Sequence, residues 1–276
     1  MTHRRLAPLV LAVAACQAGP RSPSHQAAAE PLRVVANDYA YGKAFDTLQA
    51  GWHAFRVVNE GKQPHMAVFA RLDSGKTLAD VVAAIKSKTP ASWVREVGGI
   101  NAVLPGDSLT SALDLPAGSY VIACFVVDSS GKYHILDGMI STFTVADTGL
   151  PAIPEPVGSD TVGLTSFRIT FTAPPTAGPH VYRVENVDTT AMNHDFVLVR
   201  LLAGKSRQDV FDWMTTMRGP APFTVAGATT GMAPGLHDFV WVDLVPGDYL
   251  ALCLMSAPDG KRHYEHGMVA NFSVAN

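Results

Sequence analysis

The sequence predicts a mainly β protein made of two tandem Greek-key β-sandwiches, each with one inserted helix. The first observation behind this is an internal duplication. At a constant offset of 129, His65, Asp114, Gly118, Tyr120 and Cys124 recur as His194, Asp243, Gly247, Tyr249 and Cys253, and His134, Gly138 and Met139 recur as His263, Gly267 and Met268. Residues 65–146 match residues 194–275 without a gap at 24 of 82 positions. Chance would give about one in fifteen, so the chain holds two copies of one structural unit. The second observation is a series of short apolar and polar alternations bounded by Gly and Pro, which number 23 and 19 in 276 residues. That is the pattern of half-buried strands joined by turns. The third is composition: 47% hydrophobic and 16% charged residues suffice for a buried core and exclude a disordered chain. A net charge of -3 with no dense Lys/Arg run leaves nucleic acid without an electrostatic footprint.

Taken in order, residues 1–15 read as a signal peptide, with His3, Arg4 and Arg5 ahead of an apolar run from Leu6 to Ala15 that is too short to span a bilayer. Val13-Ala14-Ala15-Cys16 resembles the bacterial lipobox, which implies cleavage before Cys16 and lipid on its thiol. The expected location is the cell envelope, in the periplasm or at the outer surface of a bacterial membrane, with the lipid as anchor. Residues 16–31 carry this cysteine and an Ala/Ser/Pro-rich flexible tether. The first sandwich is expected over 32–147, a Pro-rich semi-rigid linker over 148–162 and the second sandwich over 163–276.

Within the first copy, alternation over Ala54 to Asn59 and Met66 to Leu72 predicts two strands, and Leu78, Val81, Val82 and Ile85 share a helical face. A strand follows the Pro105-Gly106 turn and ends after Leu115 at Pro-Ala-Gly. The next, Tyr120 to Val127, carries Cys124; Gly131-Lys132 turns the chain, and Met139 opens a final strand through Phe143 and Val145. The second copy repeats the series, with Val210, Phe211 and Met214 on its helix. Upstream the offset becomes 127, pairing Gly51, His53 and Asn59 with Gly178, His180 and Asn186, so two extra residues before His194 imply a loop.

The chemistry lies in what the repeat preserves. Each copy has a His after a loop, a Cys on the penultimate strand, then a second His followed five residues later by a Met. Because Cys124 and Cys253 are equivalent positions, each domain holds one thiol, which argues against a bridge between them. A plane of two imidazoles and a thiolate with a weak axial thioether suits copper, since soft sulfur favours Cu(I) while imidazole serves both oxidation states. His53 and His180 also recur but read as surface residues, and His266, which replaces Asp137 of the first copy, is left out of the ligand set. The sequence has no His-x-His pair, nucleophile elbow, phosphate loop or His-Glu-x-x-His motif, so an electron carrier or binding protein is expected rather than an enzyme.

Three segments carry a family resemblance. Asn59-Glu-Gly-Lys-Gln-Pro-His65, Pro-Ala-Gly-Ser-Tyr120 with Cys124, and His134-Ile-Leu-Asp-Gly-Met139 resemble the ligand segments of the cupredoxins, the blue copper family of plastocyanin and azurin. The resemblance runs through each repeat. It implies type 1 copper held by His65, Cys124, His134 and Met139 in the first domain and by His194, Cys253, His263 and Met268 in the second. Electron transfer to a redox partner protein, or copper handling, would follow. One departure is that nine residues separate Cys from the second His, more than in small blue copper proteins, although copper nitrite reductases have longer loops. A two-stranded excursion turning at Asp128 to Lys132 would return the His to the same end. The alternative is a metal-free cupredoxin-like interaction module of the cell envelope, in which Cys124 is a buried inert thiol, Met139 a core filler and Gly138 a turn residue.

Overall fold

The computed structural model describes residues 30–275; the expected signal peptide and the lipidated Cys16 lie outside them. The first repeat runs β1 (Leu32–Asn37), β2 (Ala40–Lys43), β3 (Thr47–Gln49), β4 (Gly51–Asn59), β5 (His65–Leu72), α1 (Leu78–Ser87), β6 (Val94–Val103), β7 (Ser108–Leu115), β8 (Gly118–Ala123) and β9 (Ile140–Ala146). The second runs β10 (Asp160–Thr165), β11 (Arg168–Phe171), β12 (Gly178–Asn186), β13 (Val197–Leu201), α2 (Arg207–Thr216), β14 (Phe223–Ala228), β15 (His237–Leu244), β16 (Gly247–Leu252) and β17 (Val269–Val274). The fold is mainly β, with one α-helix inserted in each series, as the periodicity predicts.

Each repeat keeps one sheet to itself: β3-β9-β8-β5-β6 in the first and β14-β13-β16-β17 in the second. The opposite faces are joined. A single eight-stranded sheet runs β11-β10-β12-β15-β7-β4-β1-β2, crossing between repeats where β15 pairs antiparallel with β7 through Phe239–Ala112, Val240–Ser111 and Trp241–Thr110. Between the sheets of the first repeat Phe55, Phe69, Ile122 and Tyr120 are buried, and Tyr182, Phe196 and Tyr249 fill the second. The continuous apolar run Tyr120–Ala123 is explained by burial of both strand faces. Its inner side meets the core, while Val121 and Ala123 pack outward with Val81 and Ile85 of α1.

Several recurring residues acquire local reasons. Tyr120 donates its hydroxyl proton to the Pro116 carbonyl and Tyr249 to that of Val245, tying each strand to the turn before it. Thr77 with Asp80 and Ser206 with Asp209 form capping boxes that start α1 and α2. His53 and His180 sit within β4 and β12 and are partly exposed. Their Nε2 atoms meet the carbonyls of Gln49 at 2.7 Å and Thr176 at 2.8 Å, so both imidazoles staple strand to turn.

Three sequence expectations change. The strand through Tyr120 stops at Ala123 instead of reaching Val127: the Cys124 N–H still follows the β9 register to the Met139 carbonyl, but beyond it the Cys124 and Val126 carbonyls accept from Ile135 and His134 of the returning loop. The strands β6 and β14 were not placed from the sequence, and both contain glycines, Gly98-Gly99 and Gly227, where another chain segment comes close. A Cβ on Gly98 would stand 2.3 Å from Asp238 Oδ2 across the seam between repeats. Finally, the last residues of the expected linker are strand, since β10 begins at Asp160, and Ile153 is held to the start of β4 by the Ala50 carbonyl and the Trp52 N–H.

Candidate metal centres

Each repeat gathers its two histidines and its cysteine at one end of the sandwich, all three buried. His65 enters on the first residue of β5, and Cys124 lies one residue beyond β8. His134 returns through the expected hairpin: Asp128 and Lys132 close the turn, and Val127 bridges Tyr133. A 3-10 turn over His134–Asp137 then reverses the chain. Its end needs a residue in the left-handed region, which Gly138 supplies at φ 104° and Gly267 at φ 94° in the second copy. Backbone bonds lock this loop onto the cysteine. Ile135 donates to the Cys124 carbonyl at 2.9 Å and Cys124 to the Met139 carbonyl at 3.1 Å, with Tyr264, Cys253 and Met268 doing the same in the second repeat. Met139 and Met268 are fully buried beside their cysteines.

The donor atoms converge. In the first repeat Nδ1 of His65 and Nδ1 of His134 are 3.2 Å apart and lie 3.8 and 3.6 Å from Cys124 Sγ. In the second, the corresponding separations are 3.1 Å between His194 and His263, and 3.9 and 3.4 Å to Cys253 Sγ. A triangle of this size has its centre about 2 Å from each corner, the length of a metal–nitrogen or metal–sulfur bond. Burial holds His65, His134 and His263 below the usual imidazole range and pushes both thiols up.

The outer edges of the rings fix which nitrogen carries the proton. His65 Nε2 donates to Asp38 at 3.2 Å and His134 Nε2 to the Gln63 amide oxygen at 3.3 Å. Both Nδ1 lone pairs of the neutral rings therefore face each other and the sulfur, an arrangement that is repulsive when empty and suited to a cation. The residues present fit a metal ion of the soft, imidazole-binding type. An aromatic edge meets the second histidine in both copies: Tyr39 against His134 at 5.2 Å and Phe167 against His263 at 5.0 Å between ring centroids.

The carboxylates were missed by sequence reasoning, and the structure shows why. In the first repeat the acceptor for His65 is Asp38, from the turn between β1 and β2. In the second, His194 Nε2 donates at 3.0 Å to Asp188, from the loop after β12. The positions are not equivalent: Ser166 stands where the first copy has Asp38, and Gly61 stands where the second has Asp188. Each copy thus delivers one carboxylate to the same place from opposite loops. Burial opposes ionisation of Asp188, but hydrogen bonds from His194, Thr190 and Ser166 outweigh it and hold the carboxyl far below its usual range. The recurring Asn59 and Asn186 brace these loops. Each amide donates to two backbone carbonyls, Gln63 and Val103 for Asn59 and Met192 and Met232 for Asn186, and each side-chain oxygen accepts the N–H of Gly61 or Asp188.

Gly61 leaves space for that arrangement, because a Cβ there would lie 2.4 Å from Asp38 Oδ1 and 2.8 Å from His65 Nε2. Gly61→Ala is expected to displace the carboxylate from His65 and to weaken metal uptake in the first site by about tenfold. Uptake in the second site should stay unchanged, and separate metal titrations with the other site disabled measure this. His266, left out of the ligand set, indeed points elsewhere: its Nε2 meets Asp259 at 3.1 Å and its ring packs on Phe167.

No family model and no curated protein matches the sequence. Solved structures do. The auracyanin of Roseiflexus castenholzii is 20% identical over 41% of this chain and 94% of its own, with a TM-score of 0.31. Auracyanin A of Chloroflexus aurantiacus, a blue copper protein, is 18% identical over 42% and 98%, with a TM-score of 0.32. The blue copper oxidase of Nitrosomonas europaea is 14% identical over 88% of this chain and 84% of its own, with a TM-score of 0.28. The first two span about one repeat and the third spans both. At these scores the likeness adds nothing to the side-chain geometry, which stands by itself.

Proposed function

We propose that the protein binds one copper ion in each triad, as a type 1 centre, and transfers electrons or holds copper in the bacterial cell envelope, anchored through lipid on Cys16. The observation that supports this best is the convergence in the first repeat of two imidazole lone pairs and a thiol sulfur on one buried point, with their ring protons already committed to Asp38 and Gln63. The same triad recurs in the second repeat. Copper would supply one-electron exchange; the chain itself supplies the rest. His65 and His134, His194 and His263 would hold the ion through their nitrogens and Cys124 and Cys253 through sulfur, and the buried Met139 and Met268, whose carbonyls accept from the cysteine N–H groups, would offer the thioethers. Buried donors held in place by backbone bonds would need little rearrangement between oxidation states, which would favour fast electron exchange with a partner protein.

Adding Cu(II) to the reduced, metal-free protein is expected to give two tightly held coppers per chain and an intense blue thiolate band. A colourless protein that retains no copper on desalting would leave the metal-free interaction module as the better reading. Anchoring is tested separately by incorporation of radiolabelled fatty acid, which Cys16→Ser should abolish.

A further inference from the structure

Between the repeats lies a cavity of about 430 Å³, within the range that holds small organic ligands. Both chain halves line it. Phe125 and Tyr133 contribute from the first, and Trp213, Phe223 and Tyr264 from the second, so five aromatic rings border one space. Glu96 of β6 also lines it, with neither a salt bridge nor a hydrogen bond to its carboxylate among the described residues. The charge acting on Glu96 is that of Asp195, of the same sign, and burial first and this repulsion second raise its carboxyl above the usual range.

The other polar groups of the wall do not relieve it. Asp195 is occupied by the Asn101 amide and the Leu254 N–H, and the Arg262 guanidinium, which also borders the space and bonds the Leu254 carbonyl and the Ser256 hydroxyl, acts on Asp195 and not on Glu96. The hydroxyl of Thr230, 2% exposed and bordering the same space, has no partner among the described residues. A carboxylate in an apolar cavity without a counter-charge is costly, and aromatic faces attract cations. What Glu96 lacks within reach is a positively charged partner, and the rings beside it suit one with an apolar body.

We propose that the cavity binds a small organic ammonium ion, its charged head against Glu96 and its apolar body against the aromatic walls. This site is separate from the two triads and does not depend on copper. It lies next to both, because Met66 and Asp195, which follow the first histidine of each triad, border it. An amine held there would touch the flanks of both centres at once.

The test compares phenethylammonium with 2-phenylethanol, nearly equal in size and differing in charge, by calorimetry on the copper-free full chain. The amine is expected to bind with the alcohol at least about tenfold weaker. Glu96→Gln is expected to bring the amine down to the alcohol's affinity without altering melting temperature or copper uptake. Equal binding of amine and alcohol, or no binding of the amine at millimolar concentration, would overturn the proposal. So would displacement of the amine by Ag(I), because Met66, Met214, Met217 and Met255 also border the cavity and would then define a soft-metal site.

Discussion

Cys124→Ser and Cys253→Ser together are expected to remove the blue band completely and to leave no copper on the protein after desalting, whereas either substitution alone should leave one copper and half the absorbance. Serine keeps the size of the side chain but replaces the soft donor by a hard one, so the two imidazoles alone would hold Cu(II) loosely. Both cysteines are fully buried, without a disulfide, and each Sγ lies within 3.9 Å of two imidazole nitrogens. Unchanged copper stoichiometry in the double variant would rule out the thiolate centres. Visible spectroscopy with copper counting on the three variants reads all of this, and the two single variants report each site alone.

Asp188→Ala is expected to weaken copper at the second site by about 10–100-fold and to cost roughly 2 kcal/mol or more of folding stability. The Asp188 side chain is fully buried and accepts hydrogen bonds from His194 Nε2, the Ser166 and Thr190 N–H groups and the Thr190 hydroxyl. Truncation leaves those donors unpaired in the interior. Asp38→Ala should be milder, because the Asp38 side chain is 29% exposed and water can replace it. The pH dependence follows from the sign of the shift. The folded-state value is depressed, so the contribution of Asp188 is present above the ordinary carboxylate range near about pH 4 and is lost as pH falls below it. Thermal melts of the metal-free protein should therefore show a deficit in Asp188→Ala at neutral pH that shrinks in acid.

The candidate centres were legible in the sequence because the same residue types recur at the same places in both copies, so His65, Cys124, His134 and Met139 stand out as repeated residues. The supporting carboxylates were hidden for the converse reason. A hydrogen bond to Nε2 can arrive from either flanking loop, and the two copies use different ones, so comparing repeats pairs Asp38 with Ser166 and Asp188 with Gly61. The hairpin that returns His134 was also legible, from Asp128 to Gly131-Lys132 and from Gly138. The second sheet was less so. β6 and β14 share almost no sequence identity, so comparing the repeats did not mark them, although each pairs with the strand of its own repeat that starts at or follows the first histidine. The union of β7 with β15 has no local signature at all, because it pairs residues far apart in the chain.

That union has a consequence for how such a molecule can be divided. A lone sandwich would end one sheet on β7 or on β15, leaving a row of unsatisfied backbone groups open to any passing strand. Here each half shields the other, so cutting the chain within residues 148–159 and producing the pieces separately would yield adhesive fragments. Mixed together, they should reassemble across the same edge; kept apart, they should polymerise or self-pair. The smallest unit that can be shuffled, secreted or redesigned without an adhesive margin is the doublet.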